Sequence, residues 1–242
     1  MEYNQYPEIH EFYAGLEELG ISLTEKQIQQ FIDYYELLVE RNKVMNLTAI
    51  TEFREVIIKH FIDSLSIVKF RPLTNERILD VGTGAGFPGI PLKIVYPDIE
   101  LVLLDSLNKR LVFLKDVIEK LGLDKVQTLH GRAEDYGKDT KHREKYDLCL
   151  SRAVAKLSSL VEYCLPYVKK GGFFISYKSG IIAEELSFSK NALNILGGTL
   201  DQVKEFILPG TDIERSLVVI RKTSPTPKNY PRSAGKPSKE PL

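Results

Sequence analysis

A glycine-rich loop after a short apolar run carries the clearest chemical signal in this sequence. Residues 78–81 are apolar apart from one aspartate, and glycines follow at positions 82, 84, 86 and 89. Glycines let the backbone turn sharply and approach a ligand closely, as the first strand-to-helix crossover at a binding crevice requires. We therefore predict a cofactor site at this loop. Its candidate contacts are a carboxylate and three glycines: Asp80, Gly82, Gly84 and Gly86.

The charges and prolines around the loop indicate which cofactor it suits. The Gly-x-Gly-x-x-Gly pattern of residues 84–89 fits the dinucleotide fingerprint, but a pyrophosphate needs free amide groups at a helix N-terminus. Pro88 and Pro91 remove two such donors, and Asp80 places a carboxylate where a diphosphate would be repelled. S-adenosylmethionine carries a cationic amino acid moiety and no phosphate, so the same features suit this cofactor.

Polar residues at the ends of later apolar runs are expected to face the same site. Asp105, with Ser106 beside it, stands about 20 residues after the loop, where a carboxylate can accept hydrogen bonds from ribose hydroxyls; NAD enzymes share this spacing. Ala133 and Glu134 could hold an adenine edge, while the alternative for Glu134 is a favourable interaction with a helix dipole. Arg152 ends the fourth run, so we expect it to point into the cleft.

A parallel sheet is needed to bring these residues together, and the chain from residue 76 onward predicts one. Helix-length amphipathic segments such as 107–121 and 157–167 separate most of its apolar, β-branched runs, which favours the α/β class with a doubly wound sheet. The last two runs have no helix between them, so we expect an antiparallel pair across Pro209-Gly210. The seven predicted strands are 78–81, 101–104, 126–129, 148–150, 173–177, 203–208 and 217–220.

The chain divides into three predicted parts: a helical extension at 1–72, the α/β domain at 73–222 and a basic, proline-rich tail at 223–242. Apolar residues recur every three and four positions in the extension, and Thr24 with Gln27 fits a capping box at a helix start. The tail contains five prolines. Because proline disrupts helices and central strands, we predict neither in the tail.

Composition excludes several classes of protein. The 33 Lys and Arg residues balance 33 Asp and Glu residues, so a globally polybasic nucleic-acid binder is excluded and contact with a polyanion would need a local patch. Two cysteines and four scattered histidines predict neither a disulfide framework nor a metal site. No apolar run approaches the roughly 18 residues of a membrane span, and the N-terminus lacks a secretory pattern. We expect a cytoplasmic monomer that needs no metal and no membrane.

Seven motifs in register along nearly the whole chain resemble one known family. They are Asn42-Lys-Val-Met-Asn-Leu-Thr48, Lys59-His-Phe-Ile-Asp-Ser-Leu65, Asp80-Val-Gly-Thr-Gly-Ala-Gly-Phe-Pro-Gly-Ile-Pro91, Asp105-Ser-Leu-Asn-Lys-Arg110, Arg132-Ala-Glu134, Ser151-Arg-Ala-Val-Ala155 and Thr226-Pro-Lys-Asn-Tyr-Pro-Arg-Ser-Ala-Gly-Lys-Pro237. The family is ribosomal RNA small subunit methyltransferase G, also called glucose-inhibited division protein B. The resemblance implies a class I methyltransferase fold and methyl transfer from S-adenosylmethionine to guanine N7 in the 530 loop of bacterial 16S rRNA.

Carried over to matching positions, the resemblance implies that Gly82, Phe87, Ala133, Glu134 and Arg152 contact the cofactor, with Asp105 near its ribose. Guanine N7 is a lone-pair nucleophile with no proton to lose, so alignment and desolvation matter more than a general base.

Basic residues can then contact the substrate, which is naked rRNA or the small ribosomal subunit. We expect Arg152 and Lys178 at the reacting base, since arginine pairs specifically with guanine O6, and Arg110, Lys178 and Arg232 at the RNA. The alternative for Arg110 and Lys178 is solvated surface charge. Tyr230 could stack on an unpaired base or could pin the tail to the domain.

Two other functions remain open from the residues alone. An NAD-dependent oxidoreductase would also use the 84–89 pattern and Asp105, although an obvious catalytic Tyr-x-x-x-Lys or His-Asp pair is missing. A noncatalytic RNA-binding factor of ribosome assembly could keep the fold with a vestigial loop. The loop retains all of its glycines, which favours use of a cofactor.

Overall fold

The computed structural model describes residues 6–180 and 182–242, and a seven-stranded sheet lies at the centre of this part of the chain. The strands are β1 Arg77–Val81, β2 Glu100–Asp105, β3 Val126–His130, β4 Tyr146–Arg152, β5 Val168–Ser179, β6 Gly198–Ile207 and β7 Glu214–Lys222. Their order is β3-β2-β1-β4-β5-β7-β6, with β1 to β5 parallel and β7 antiparallel to both β5 and β6. The predicted strands and the antiparallel last pair are confirmed.

The direction of winding reverses between β1 and β4, and this reversal places the binding crevice. Both strands are almost entirely buried on both faces, which is why they appear as continuous apolar runs in the sequence. In the β1 register, Asp80 lies opposite Leu103 of β2 on one side and Leu150 of β4 on the other. Ligands of doubly wound sheets bind outside the carboxyl ends of strands at such a switch point.

Helices cover both faces of the sheet. The α-helices are α1 Ile9–Glu18, α2 Glu25–Met45, α3 Phe53–Val56, α4 Asp63–Leu65, α5 Gly89–Val95, α6 Asn108–Leu121, α7 Ala133–Tyr136, α8 Leu157–Cys164, α9 Ala183–Leu196 and α10 Lys236–Lys239. The capping box of α2 is confirmed, because Gln27 N donates to Thr24 Oγ1 and Thr24 N donates to Gln27 Oε1. Among the described residues, no helix is both long and apolar enough to span a bilayer.

A π-helical segment, Ile57–Ile62, lies between α3 and α4, and Ser66–Lys69 continues as a 3₁₀ turn. The spacing of apolar residues at 56–68 predicts only a helix there. Widened turns of this kind occur often at functional sites. Here the segment presents His60 and, just after it, Asp63 to the carboxyl end of β4, where both contact Arg152.

The N-terminal helices share a hydrophobic core with the sheet. Phe31 packs between Phe12 and Phe61 with ring-centroid distances of 5.0 and 4.9 Å, and burial of each ring contributes about 2 kcal/mol. The buried Tyr34 hydroxyl donates to Ala85 O in the glycine loop, at 2.5 Å. The extension therefore supports the loop directly, and the boundary at residue 72 stays a prediction from sequence.

The prediction that the tail contains no helix is wrong at α10. A single helical turn forms there with Pro237 in its first turn. Proline is tolerated at this position because the first amides of a helix have no intrahelical acceptor.

Candidate active site

A first cavity of about 360 Å³ lies at the carboxyl ends of β1, β2, β3 and β4. This volume is within the usual range for a small-molecule site. Its walls come from strand ends, from α7, from the loop 153–155 after β4 and from the C-terminal tail. The residues predicted from sequence that line it are Gly82, Asp105, Ser106, Arg110, Ala133 and Glu134.

Asp80 braces the glycine loop and does not line the first cavity. Its Oδ2 accepts hydrogen bonds from Thr83 Oγ1 at 2.7 Å and from Gly89 N at 3.0 Å. Its Oδ1 is buried with no partner among the described residues. Complete burial raises the pKa of Asp80 to about 6, although its hydrogen bonds oppose this shift. Gly84 and Gly86 likewise shape the loop without lining the cavity, so their cofactor contacts stay predictions.

Gly82 lies where only glycine fits. Its φ of +70° is in the left-handed region, and an added Cβ would lie 2.5 Å from Val154 Cγ2. The loop after β1 and the loop 153–155 after β4 therefore approach each other across the mouth of the cavity. Ala153 is also left-handed, with φ +55°.

Asp105 joins the glycine loop to α6. Its Oδ1 accepts from Leu107 N at 2.8 Å, and its Oδ2 accepts from Gly84 N at 2.9 Å and pairs with Arg110 Nη1 at 3.2 Å. A carboxylate offers about four lone-pair sites, so one remains for a ligand hydroxyl. Arg110 is one-third exposed at the rim.

Glu134 is buried and binds the tail, which neither interpretation of the sequence foresaw. Its Oε1 accepts a hydrogen bond from Gly235 N at 2.7 Å. The neighbouring Ala133 carbonyl accepts from the Tyr167 hydroxyl at 2.6 Å. The separation of 101 residues between Glu134 and Gly235 left no local signal of this contact.

A second cavity, of about 420 Å³, adjoins the first at Ala153, which lines both. It opens at the carboxyl ends of β4 and β5 and at the start of β7. Four basic and two acidic side chains line it, an excess of two positive charges, and the Lys59 ammonium also pairs with Glu55 just outside the lining. These charged residues are Lys59, Asp63, Arg152, Lys178, Glu185 and Arg215.

Two arginines share one carboxylate in the second cavity. Arg152 Nη1 lies 2.8 Å from Asp63 Oδ2, and Arg215 Nε lies 2.8 Å from Asp63 Oδ1. The Asp63 side chain is 5% exposed, so this network is shielded from solvent screening. Arg152 lines the second cavity and not the first, so its contact with the cofactor stays a prediction. Sequence reasoning missed Asp63 and Arg215 as its partners; the only signal was that Asp63 belongs to the conspicuous 59–65 motif.

His60 is a neutral component of the same wall. Burial and the nearby positive charge of Arg152 lower its pKa to about 3. His60 Nδ1 lies 3.3 Å from Arg152 Nη2 and 3.2 Å from the carbonyl oxygen of Lys59. The other ring nitrogen, Nε2, lies 3.0 Å from Thr48 Oγ1. The ring also stacks on Phe87 at 4.4 Å, so Phe87 supports this wall from the glycine loop.

Lys178 holds the loop between the two cavities. Its ammonium donates to Ala155 O at 3.0 Å and to Glu185 Oε2 at 2.7 Å, and the same Glu185 oxygen accepts from Leu157 N at 2.8 Å. These donors lower the pKa of Glu185, although burial opposes the shift. The Lys178 side chain is only 12% exposed, so the alternative of solvated surface charge does not describe it.

The two tail residues predicted to bind RNA make contacts within the protein. Arg232 forms a two-point ion pair with buried Glu162, at 3.0 Å from Nε to Oε1 and 2.6 Å from Nη2 to Oε2. Tyr230 packs against the core, and its carbonyl accepts from Arg143 Nη1 at 2.7 Å. This geometry matches the tail-pinning alternative for Tyr230 and uses the Arg232 guanidinium internally. Contact of either residue with RNA stays a prediction.

Within the described ranges, no cluster of three or more histidine, cysteine, aspartate or glutamate side chains could hold a metal. Cys149 and Cys164 are buried free thiols, as expected of core residues.

Comparisons with known proteins agree with this geometry. A family model described as rRNA small subunit methyltransferase G matches residues 27–218. A ribosomal RNA small subunit methyltransferase G from Lachnoclostridium phytofermentans is 56% identical over 232 residues, which cover 96% of each chain. This chain also resembles the crystal structure of precorrin-6y C5,15-methyltransferase from Geobacter metallireducens, with a TM-score of 0.50 and 14% identity over 67% of this chain and 88% of that one.

A variant of MtNAS in complex with S-adenosylmethionine matches with a TM-score of 0.54 and 18% identity, over 81% of this chain and 73% of that one. At such identities the structural matches show the fold alone, which is the class I methyltransferase fold predicted from sequence. The sequence matches extend over most of the chain at high identity, and they confirm the resemblance carried by the seven motifs. The chain belongs to the rRNA small subunit methyltransferase G family.

Proposed function

We propose that the protein transfers the methyl group of S-adenosylmethionine to N7 of a guanosine in the 530 loop of bacterial 16S rRNA. The observation that supports this most strongly is the pair of cavities that meet at Ala153. A methyl donor in the first cavity and a base in the second would face each other across one small side chain. We expect the protein to act as a monomer in the cytoplasm.

The first cavity suits S-adenosylmethionine. Asp105 keeps one lone-pair site for a ribose hydroxyl, and Ser106, Ala133 and Glu134 lie at the adenosine end of the same crevice. The orphaned Asp80 Oδ1 beneath the loop is an acceptor of the kind that a cationic amino group, or a water bound to it, requires. Gly82 gives the cofactor backbone access at the strand end.

The second cavity suits an electron-rich base attached to a phosphate backbone. Its lining carries more positive than negative charge, which favours RNA, and a guanidinium group can donate to guanine O6 while leaving N7 free to react. In the reaction the N7 lone pair forms a bond to the methyl carbon as the bond from carbon to sulfur breaks. S-adenosylhomocysteine leaves, and no proton moves. The residues therefore align and desolvate the reactants, which agrees with a His60 that stays neutral.

The helix after the glycine loop does not favour the NAD alternative. The amide of Gly89, at the start of α5, already donates to Asp80, and the amide of Ile90 donates to Gly86 O. Pro88 and Pro91 have no amide hydrogen to offer. A pyrophosphate would therefore meet no free donors at this helix end.

Transfer of labelled methyl from S-adenosylmethionine to 16S rRNA tests the proposed reaction. Unmodified rRNA is offered both naked and within small subunits, and the product nucleosides are separated. We expect the label in 7-methylguanosine. Label in another nucleoside would contradict the target base, and cofactor binding without any transfer would favour the noncatalytic assembly factor.

A further inference from the structure

The C-terminal tail contributes a wall to the first cavity. Ser238, in α10, lines this cavity together with Tyr163 of α8 and Glu134 of α7. This position indicates that the tail has a role at the crevice in addition to any contact with RNA. Residues 232–240 are called the C-terminal strap below.

Three of the tethers that hold the strap have a buried partner on the domain, and Ser238 also makes a side-chain hydrogen bond with Tyr163. Glu162 of α8 pairs with Arg232 through both carboxylate oxygens. Glu134 of α7 accepts from Gly235 N at 2.7 Å, and Ser159 Oγ of α8 donates to Pro237 O at 2.9 Å. Glu134, Ser159 and Glu162 are each 5% exposed or less.

Buried carboxylates are costly without partners. Among the described residues, Glu162 accepts its hydrogen bonds from Arg232, and the Glu134 side chain accepts one from Gly235 N. Undocking of the strap would expose these carboxylates to water or leave them unpaired in the protein. The docked position is therefore built into the domain surface.

The chain leading to the strap is also fixed. Arg143 donates to the carbonyl groups of Thr226, Pro227 and Tyr230, at 2.6 to 3.1 Å. The Pro231 ring lies so close to Gly137, at the end of α7, that an added Cβ there would be 2.9 Å from Pro231 Cγ. Only a residue without a side chain lets the tail approach α7 in this way.

We propose that the C-terminal strap closes the first cavity over S-adenosylmethionine, and that Glu134 is a positioning residue that acts on the cofactor through Gly235. The proposal rests on the proposed function, because it takes the first cavity as the cofactor site. The tail would then help to retain the cofactor. Glu134 would act as a latch for the strap and not as a direct contact of the cofactor.

Calorimetric titration of S-adenosylmethionine into the full chain and into a chain ending at Arg232 tests the strap. The shorter chain keeps the Glu162 ion pair and loses the Glu134 latch, α10 and Ser238. We expect its Kd to be about tenfold higher, which corresponds to about 1.4 kcal/mol. An unchanged Kd in a shortened chain that still unfolds cooperatively overturns the proposal. If the full chain binds no S-adenosylmethionine, the proposed function fails first.

Glu134→Ala in both chain lengths tests the latch. If Glu134 acts through Gly235, the substitution weakens binding in the full chain and changes Kd less than about twofold in the shortened chain, since the coupled partner is already gone. An equal loss in both chains would mean that Glu134 contacts the cofactor directly, and it would overturn the positioning role.

If the shortened chain does not fold, two single substitutions at adjacent serines of α8 test the role of the strap in the full-length chain. Ser159→Ala removes the tether to Pro237 O, whereas Ser158→Ala changes a hydroxyl on the same helix with no side-chain hydrogen bond among the described residues. We expect Ser159→Ala to raise the Kd about threefold, as a partly weakened hydrogen bond would, and Ser158→Ala to leave it unchanged. Equal Kd values for the two variants would overturn the proposal.

Discussion

The two cavities that meet at Ala153 are built in different ways. The first is formed largely by backbone and short side chains at the ends of neighbouring parallel strands, and its lining charges are two acidic and two basic residues. The second is formed by long charged side chains from the N-terminal extension, β4, β5, α9 and β7, with an excess of positive charge. The first cavity, with balanced charges, suits S-adenosylmethionine, which carries both positive groups and a carboxylate, and the second suits a polyanion.

The two cavities differ in the free-energy cost of burying their charged groups. The first wall is made mostly of backbone and short side chains at strand ends, and its two carboxylates, Asp105 and Glu134, accept hydrogen bonds from backbone amides. The second cavity buries the guanidinium groups of Arg152 and Arg215. Their burial is stable because the Asp63 carboxylate, from the N-terminal extension, lies between them. The extension is therefore part of the second site, and variants of the two walls should separate cofactor binding from RNA binding.

The largest expected effect comes from Asp63→Ala. Removal of the shared carboxylate leaves two arginines facing each other in a shielded site, so we expect the free energy of unfolding to fall by about 3–5 kcal/mol. Urea unfolding measures this. Asp116→Ala is the matched control, because its ion pair with Arg41 is more than one-third exposed on both sides and should contribute less than about 1 kcal/mol. Equal losses for the two variants would contradict the difference between the walls.

The next effect is a pH dependence that arises in the second wall. The folded-state pKa of His60, about 3, is lower than its ordinary value of 6.5, so the unfolded state binds more protons between these pH values. The contribution of His60 to the unfolding free energy should therefore fall as the pH drops below 6.5, by about 2 kcal/mol at pH 5.

In this range Asp80 acts in the opposite direction, because its raised pKa makes the folded state bind protons more tightly below about pH 6. Comparison with His60→Gln isolates the histidine contribution, and exposed His10→Gln is its control. A wild-type loss between pH 7 and pH 5 that His60→Gln leaves intact would show that His60 is not the cause.

Gly82→Ala tests the first wall alone. A Cβ would meet Val154 and would also force an alanine into the left-handed region, which costs about 1–2 kcal/mol, so we expect S-adenosylmethionine binding to weaken by tenfold or more. RNA binding should persist. Gly20→Ala, at φ +67° with nothing within 4 Å of the added Cβ, is the control for backbone strain away from the site. Retained cofactor affinity in Gly82→Ala would be the contrary result.

Arg215→Gln tests the second wall alone and has the smallest expected effect. One positive charge is lost while Asp63 keeps its ion pair with Arg152, so rRNA affinity should fall about fivefold and the slope of its salt dependence by about one ion. The Kd of S-adenosylmethionine should not change. Arg221→Gln, on the exposed far end of the same strand, is the control for charge alone. Equal losses of rRNA affinity in Arg215→Gln and Arg221→Gln would show that the second cavity is not part of the RNA-binding site.

The sheet was predictable because its signals are local. Each apolar run and the glycine loop lie within about a dozen consecutive residues, and the missing helix before β7 indicated the antiparallel pair. The first cavity follows from the same signals, since parallel strands bring Gly82, Asp105 and Ala133 to one edge. The short helix in the tail was missed because proline content alone does not show whether a proline lies in the first turn of a helix. The π-helical turn was missed because apolar spacing does not distinguish a π-helix from an α-helix.

The side-chain partners were not predictable, because tertiary topology sets them. Arg215 meets Asp63 across 152 residues, and Arg232 meets Glu162 across 70. Sequence identified Arg152 and Arg232 as functional candidates from residue type and position alone. It could not show that one pairs in the second cavity and the other fastens the tail.

A crystal structure of the protein with bound S-adenosylmethionine tests the assignment of the two cavities most directly. We predict the ribose at Asp105, the adenine beside Ala133 and the sulfonium methyl directed past Ala153 into the second cavity. Cofactor density in the second cavity, or a methyl group that points away from Ala153, would contradict it.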